Sequence, residues 1–198
     1  MSGKVMQKDI KNNGKIGPLT NVASLGHVQE SSMNCAIKQD QTAWCWGAFD
    51  ADGLGLFANG QQVPNVIEPN AIEIRNDHLG WFSPVLKITA GLAYRCLIRD
   101  IVRDAWCLGY QNSFGQLGDG SFFTHALFPE PVQPKKNMNL KNLVAIEAGK
   151  EHTCAIQDGW TVWCWGSNSW GQLGQDIINP PIKNSPVPLQ VQFPVADP

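Results

Sequence analysis

A cysteine-bearing hairpin recurs three times along this chain, and it constrains the fold more than any other feature. The clearest copy is HTCAIQDGWTVWCWGSNSWGQLG at residues 152–174. A second copy, YRCLIRDIVRDAWCLGYQNSFGQLG, spans 94–118, and a degenerate one, MNCAIKQDQTAWCWGAFDADGLGLF, spans 33–57. The first cysteines of successive copies are 61 and 58 residues apart, and the second cysteines are 62 and 57 apart. Periods of this size predict a stacked or circular array of one supersecondary unit.

Each copy has the pattern of two strands around a tight turn. In the third copy CAI precedes the turn and TVWCW follows it, and both segments are rich in β-branched and aromatic residues. Asp158 and Gly159 supply the turn, because glycine takes a positive φ at little steric cost. The long connections between copies carry prolines, which suit edge strands and loops. The repeating unit is therefore predicted to be all strand.

The motifs around these hairpins, in their order, resemble the regulator of chromosome condensation repeat. The third copy carries VAIEAG at 144–149, HTCAI at 152–156, WCWG at 163–166 and GQLG at 171–174; the second carries LKITAG at 86–91, WCLG at 106–109 and GQLG at 115–118. The resemblance covers most of residues 20–190. It implies an all-β fold in which each repeat is a four-stranded antiparallel blade of a β-propeller. The cysteines resemble those of bacterial and environmental members.

The repeats divide the chain into segments. Residues 1–18 are polar and predict a flexible lead-in, and residues 179–198 match the strand that opens a further blade. Between them lie three predicted repeats, a degenerate one at 19–60, a second at 61–120 and a third at 121–178. About three blades make a partial or open propeller, since closed propellers typically have 4 to 8. The chain is then either a fragment of a larger propeller or a unit that completes a ring with another copy.

The six cysteines are candidates for one disulfide in each hairpin. A three-residue loop at 158–160 places Cys154 opposite Cys164, the same rule pairs Cys35 with Cys45, and a four-residue loop at 100–103 pairs Cys96 with Cys107. Directly opposed residues of antiparallel strands lie within disulfide range. The alternatives are small buried thiols or a metal site, although no pair has the spacing typical of structural zinc.

Oxidised cysteine pairs would favour an extracytoplasmic or cell-surface location. The first residues, MSGKVMQKDIKNNGKIG, lack the apolar core of a secretory signal, which conflicts with that location unless the natural start is missing. No apolar run approaches the roughly 18 residues of a membrane span.

Four residues make up a candidate binding surface, because turns and loops on a rigid scaffold often carry it. They are Trp160, Trp170, Arg99 and Arg103, and the alternative is that they cover neighbouring strands. Four glycines, Gly115, Gly118, Gly171 and Gly174, are interpreted as tight-turn residues. They do not form a phosphate loop, since no lysine follows and no helix is predicted.

The composition and the positions of the ionisable residues exclude several classes of function. The formal net charge of −2 argues against an electrostatic nucleic-acid binder. No catalytic residue set, metal-ligand set or cofactor site is predicted, and His152 aligns with Tyr94 and Met33 in the other copies. The resemblance implies a non-catalytic module that binds a protein partner through its blade loops. Two alternatives stay open: guanine-nucleotide exchange on a small GTPase, and a secreted or surface propeller that binds a ligand or inhibits an enzyme.

Overall fold

A computed structural model describes residues 6–9, 15–28, 33–48, 54–56, 62–64, 67–76, 80–81, 84–123, 126–135, 138–175 and 181–192. These residues form strands, turns and short connections with no helix among them, which confirms the all-β prediction. In chain order the strands are β1 (Met6–Asp9), β2 (Lys15–Pro18), β3 (Val22–Leu25), β4 (His27–Val28), β5 (Met33–Lys38), β6 (Ala43–Ala48), β7 (Leu54–Leu56), β8 (Gln62–Pro64), β9 (Ile67–Glu73), β10 (Arg75–Asn76), β11 (Gly80–Trp81), β12 (Val85–Gly91), β13 (Tyr94–Arg99), β14 (Asp104–Gly109), β15 (Ala126–Pro131), β16 (Leu143–Ala148), β17 (His152–Gln157), β18 (Thr161–Ser167) and β19 (Asn184–Gln190).

Three antiparallel sheets form the blades. Blade one has the strand order β3-β5-β6-β9, blade two β12-β13-β14-β15, and blade three β16-β17-β18-β19. Every neighbouring pair within a blade is antiparallel. A short parallel pairing of β4 with β12 joins blade one to blade two. The prediction of about three four-stranded blades in a partial propeller is therefore confirmed.

The start of the chain differs from its prediction. The sequence predicts a flexible lead-in at residues 1–18, but β1 and β2 pair with each other, with Met6 opposite Pro18. Strand β1 also runs parallel to β9 and so extends the sheet of blade one. The prediction was wrong for these two strands because polar composition does not prevent backbone hydrogen bonding to an exposed sheet edge.

The end of the chain also pairs differently. The sequence assigns residues 179–198 to the opening strand of a further blade, but within that range β19 pairs with β18 as the fourth strand of blade three. Strands β9 and β15 hold the same place in blades one and two. The fourth strand of each blade thus comes after the long connection that follows its hairpin. The sequence motifs had assigned that part of the chain to the next repeat, because a repeating pattern does not show where one unit ends and the next begins. The repeat boundaries at 19–60, 61–120 and 121–178 remain predictions.

Apolar layers fill the spaces between the blades, because alternate side chains of a strand point to opposite faces of its sheet. We call the side chains that point toward the next blade the forward face and those that point toward the preceding blade the backward face. In blade two the forward face is Tyr94, Cys96, Ile98, Ala105 and Cys107. It packs on the backward face of blade three, which is Leu143, Ile146, Ala148, Ala155 and Trp165. An equivalent layer joins blades one and two.

Candidate interaction surfaces

The cysteine hairpins have the registers that their turn lengths predict. Gln157 lies opposite Thr161, which leaves residues 158–160 as the loop, and Arg99 lies opposite Asp104, which leaves 100–103. Each hairpin is closed by a disulfide with its Cα atoms 4.1 Å apart, joining Cys35 to Cys45, Cys96 to Cys107 and Cys154 to Cys164. The disulfide prediction is confirmed, and the thiol and metal alternatives are set aside.

The last residue of each hairpin turn joins its blade to the next one. Gln41, Arg103 and Trp160 hold this position, with φ values of 62°, 51° and 65°. The Gln41 carbonyl accepts a hydrogen bond from the Val85 amide at 2.8 Å, and the Arg103 carbonyl accepts one from Leu143 at 2.9 Å. In both cases the donor is the first residue of the inner strand of the next blade. We call the end of the blades that carries residues 39–41, 100–103 and 158–160 the turn end.

Side chains at the turn end repeat this blade-to-blade contact. The Gln41 amide donates to Asp100 at 3.0 Å, and Arg103 contacts Asp158 at 3.5 Å. Trp160 has the equivalent backbone position in blade three, and 85% of its side chain is exposed. Arg103 is therefore both a surface residue and a link between blades two and three, whereas Trp160 is an exposed residue of blade three.

Arg99 does not lie in a turn, contrary to the sequence-based assignment. It is the last residue of β13, directly opposite Asp104 on β14. Its guanidinium donates to both carboxylate oxygens of Asp104, at 3.1 and 2.9 Å, and stacks on Trp106 with 4.8 Å to the ring centroid. Asp104 is fully buried, so this ion pair compensates a charge removed from water. The turn itself comprises residues 100–103, the length that the sequence predicts, and Arg99 lies directly before it.

The loops that follow β14 and β18 are built around a buried asparagine. The Asn112 side-chain oxygen accepts a hydrogen bond from the Leu117 amide at 3.0 Å, and that of Asn168 accepts one from Leu173 at 2.8 Å. The Asn112 amide also donates to the Ser121 carbonyl at 3.0 Å. A fully hydrogen-bonded buried amide fixes the surrounding backbone, so these loops are held in one shape. We call this end of the blades the loop end.

The four predicted turn glycines lie in these two loops. Their φ values are 81° for Gly115, 69° for Gly118, 77° for Gly171 and 63° for Gly174. A side chain at these angles is strained. Space is also short at Gly118, where a Cβ atom would lie 2.8 Å from the indole nitrogen of Trp165 in the next blade.

Three aromatic side chains are exposed at the loop end. Trp170 is 91% and Phe123 86% exposed, and Phe122 is also exposed. The two loops that carry them both contact the start of β19, because the Gly120 amide donates to the Pro186 carbonyl at 2.9 Å and the Asn168 amide to Lys183 at 2.7 Å. Sequence reasoning missed Phe122 and Phe123, although two adjacent aromatics within a polar connection, SFFTH at 121–125, were a visible signal.

The two exposed tryptophans of blade three lie at opposite ends of the blade. Trp160 precedes β18 and Trp170 follows it, so the seven residues of that strand separate them. At roughly 3.3 Å per residue, the separation is about 20 Å or more. They therefore belong to different surfaces, Trp160 with Arg103 at the turn end and Trp170 with Phe123 at the loop end.

Ionisable side chains in the described ranges form pairwise contacts between or within blades. His27 Nδ1 lies 2.8 Å from a carboxylate oxygen of Glu147 on blade three, and both side chains are exposed. Burial lowers the pKa of His152, while Glu151 acts in the opposite direction. No group of three or more His, Cys, Asp or Glu side chains in these ranges is placed to hold a metal ion. The described residues also contain no helix that is long and apolar enough to cross a membrane.

Sheets of four strands that stack through shared apolar layers define the chain as part of a β-propeller. A family model described as the regulator of chromosome condensation (RCC1) repeat matches residues 104–156 and 161–197, and a second model of the same repeat matches 143–172. The chain belongs to the RCC1 repeat family. The expectation of a bacterial or environmental branch remains a prediction.

Relatives of this chain include regulatory proteins. It is 31% identical over 146 residues to the E3 ubiquitin-protein ligase HERC2 of Homo sapiens, covering 72% of this chain and 3% of the relative. It is 26% identical over 170 residues to the secretion-regulating guanine nucleotide exchange factor of Bos taurus, covering 75% and 35%. The solved structure of Prp20p from Saccharomyces cerevisiae superposes with a TM-score of 0.66 at 14% identity, covering 92% and 41%, and shows the shared fold. The chain thus spans less than half of each of these relatives.

Proposed function

We propose that this chain is a non-catalytic interaction module that binds a protein partner at the loop end of blades two and three. The observation that supports the proposal is the exposure of Trp170, Phe122 and Phe123 on two loops that share contacts with β19. Large aromatic side chains dominate the energetics of protein interfaces, and their exposure in a free protein marks a candidate contact.

The rigidity of the loops favours binding at this end. Asn112 and Asn168 each bond the backbone around them, and Asp119 accepts from both the amide and the hydroxyl of Ser121, directly before Phe122. Loops already ordered in the free protein lose less conformational entropy on association. Blades two and three therefore present the aromatics from a preformed surface.

The turn end offers an alternative surface, made of Trp160 and Arg103. Arg103 is already engaged with Asp158, and Trp160 follows the pattern of a blade-to-blade contact, as Gln41 and Arg103 do. We therefore favour the loop end. Arg99 makes its contacts within blade two, so we assign it to the stability of that hairpin.

The identity of the partner is a separate proposal. One relative is a guanine nucleotide exchange factor, and the Prp20p structure was described together with binding to Gsp1p and histones. A small GTPase is accordingly the first partner class to test, and a histone the second. Release of a labelled guanine nucleotide from a Ran-type GTPase in the presence of stoichiometric chain would test for exchange activity.

Two matched variants test the binding surface. The chain is immobilised as wild type, as a Trp170→Ala, Phe123→Ala double variant, and as Trp160→Ala, and titrated with the GTPase and with histones. Trp160 is a close control, because it is the same residue type with similar exposure at the opposite end of β18. We expect the double variant to lose at least tenfold in affinity and Trp160→Ala to retain it. Loss in Trp160→Ala alone would transfer the site to the turn end.

A further inference from the structure

The tryptophan directly before the second cysteine of each hairpin has a different neighbour in blade three. In blade two the guanidinium of Arg99 stacks on Trp106, and in blade one a lysine has the corresponding place, 5.5 Å from the ring centroid. The equivalent pair in blade three, set by the same register, is Gln157 and Trp163. Gln157 is neutral, and its side-chain oxygen accepts a hydrogen bond from the indole nitrogen of Trp163 at 3.0 Å. The ring of Trp163 therefore has no arginine stacked on it.

Trp163 lines a cleft between blades two and three. One wall is the connection from β15 to β16, through Pro134, Met138 and Leu140, and the other is the outer strand β19, through Pro188. The cleft has a volume of 450 Å³, within the roughly 300–1,000 Å³ that is usual for ligand sites. Both walls belong to this chain, and Trp163 lies on the backward face of blade three, toward blade two.

The connection that forms the first wall is held in place by both blades. The Leu140 amide donates to the Val132 carbonyl at 2.9 Å, and the Leu140 carbonyl accepts from the Ala105 amide of blade two at 3.1 Å. From blade three, the side-chain amide of Gln157 donates to the Lys141 carbonyl at 2.9 Å. The cleft is thus preformed, so a ligand loses less free energy in ordering it.

The apolar side chains of the cleft suit one large apolar group of a ligand. Met138 is 54% exposed, and Trp163 is half-buried with its ring in the cleft. An exposed methionine adapts its shape to a bound group, and a tryptophan ring offers a wide surface for stacking. The cleft therefore has the composition of a pocket for an aromatic or large aliphatic side chain.

The charged residues of the cleft have one sign. Lys135 and Lys141 both line it and both are exposed, and no aspartate or glutamate is among the described residues that line it. The carboxylate that follows Gln157 in sequence, Asp158, is in contact with Arg103 at 3.5 Å. A partner with carboxylates beside its apolar group would complement these lysines.

We propose that this cleft binds a short acidic segment of a protein partner. One large apolar side chain of the segment packs on Trp163 between Met138 and Pro188, and neighbouring carboxylates pair with Lys135 and Lys141. The cleft involves none of the exposed aromatics of the loop end, so this site is separate from the one under the proposed function, and either can fail without the other.

One double variant closes the cleft with a side-chain pair that the chain already uses. Gln157→Arg with Thr161→Asp introduces into blade three the residues that Arg99 and Asp104 form in blade two, where the arginine covers the tryptophan. Both substituted side chains are half-buried, and the hairpin register is the same in the two blades. Near-ultraviolet circular dichroism and thermal unfolding check that the fold is retained.

A second double variant changes the charge and leaves the ring open. Lys135→Glu with Lys141→Glu reverses the two lysines of the cleft, whose side chains are exposed, so folding should be unaffected. Lys87→Glu with Lys150→Glu is the matched control, because it changes the net charge equally at two exposed lysines outside the cleft.

Selection from a random-peptide phage library on the wild-type chain supplies the probe. We expect the selected peptides to share one large apolar residue flanked by aspartates or glutamates. The affinity of the best peptide, measured by fluorescence anisotropy, should fall at least about tenfold in both cleft variants and fall with rising salt, and it should be unchanged in the Lys87, Lys150 control.

Several outcomes would overturn the proposal. They are a selection that yields no peptide, selected peptides without acidic residues, and an affinity that either cleft variant leaves unchanged. A peptide whose binding is lost in the Trp170→Ala, Phe123→Ala variant but kept in the cleft variants would belong to the loop end, and that result would support the proposed function while excluding the cleft.

Discussion

Gly115 and Gly171 hold the same position in the loops of blades two and three, yet only Gly115 is covered by a neighbouring blade. Both have a positive φ, at 81° and 77°. A Cβ atom on Gly115 would lie 2.5 Å from the Pro186 Cα atom, and one on Gly171 would meet no described atom within 4 Å. The two loops thus share their backbone conformation at this glycine but differ in whether another blade packs against it.

Alanine substitution should separate these two effects. Gly171→Ala should lower the free energy of unfolding by roughly 1–2 kcal/mol, because it only places a side chain on a left-handed backbone. Gly115→Ala adds a clash with backbone atoms, so we expect a total loss of roughly 2–5 kcal/mol in the free energy of unfolding. Urea unfolding of both variants measures the difference. Equal losses would show that Pro186 does not restrict the loop of blade two.

The junction between blades two and three contains a buried hydrogen bond that should stabilise it. The Thr153 hydroxyl donates to Tyr94 Oη at 3.1 Å, and the Tyr94 hydroxyl lies 3.0 Å from the Gly149 carbonyl oxygen. Tyr94→Phe should reduce the free energy of unfolding by about 1–3 kcal/mol, because it leaves buried polar partners unsatisfied. A double-mutant cycle with Thr153→Val should give a coupling energy of at least about 0.5 kcal/mol. Additive effects would argue against a direct bond.

The stability of blade three should decrease in mild acid through His152. Burial lowers the pKa of His152 below its usual 6.5, so the unfolded chain binds the proton more tightly than the folded chain. The stabilisation is complete above pH 6.5 and is lost as the pH falls through the lowered value. His152→Tyr, which introduces the residue of blade two, should flatten this part of the profile. A histidine pKa at or above 6.5 by NMR titration would contradict the assignment.

The three disulfides should differ in accessibility. Cys35, Cys45, Cys96 and Cys107 are fully buried between blades, whereas Cys154 on the open face of blade three is only half-buried. In the native protein treated with limited reductant and an alkylating agent, the Cys154–Cys164 pair should be labelled first. Peptide mapping identifies the order. Simultaneous labelling of all three pairs would indicate global unfolding rather than local access.

Local features of this protein were predictable because they depend on neighbours in sequence. The loop lengths at 100–103 and 158–160 set the register of each hairpin, and register alone places Cys96 opposite Cys107 and Cys154 opposite Cys164. The motifs also identified the family and the blade. Arg99 shows the limit of this reasoning: the predicted loop already places it opposite Asp104, but its ion pair matters because Asp104 is buried, and burial depends on the packing around the hairpin.

The candidate sites were only partly predictable. Trp170 was identified as a loop aromatic, but its grouping with Trp160 could not be tested without the strand direction that places them at opposite ends of β18. Phe122 and Phe123 lie between the repeated motifs, so no motif indicates a role for them. Their candidacy depends on exposure, which follows from the fold of the whole loop.

By itself the sequence determined the hairpins, their disulfides, the four-stranded unit and the family, since each follows from short-range spacing and turn chemistry. Only the tertiary structure decided which strand completes each blade and which copies of a repeated position are buried. Leu25, Ile88 and Ile146 are similar in chemistry and equivalent in register, and they differ only in the blade that lies, or does not lie, upon them. The burial of a side chain at this position depends on the blade that packs against it. The residues of a single repeat do not show how that packing is arranged.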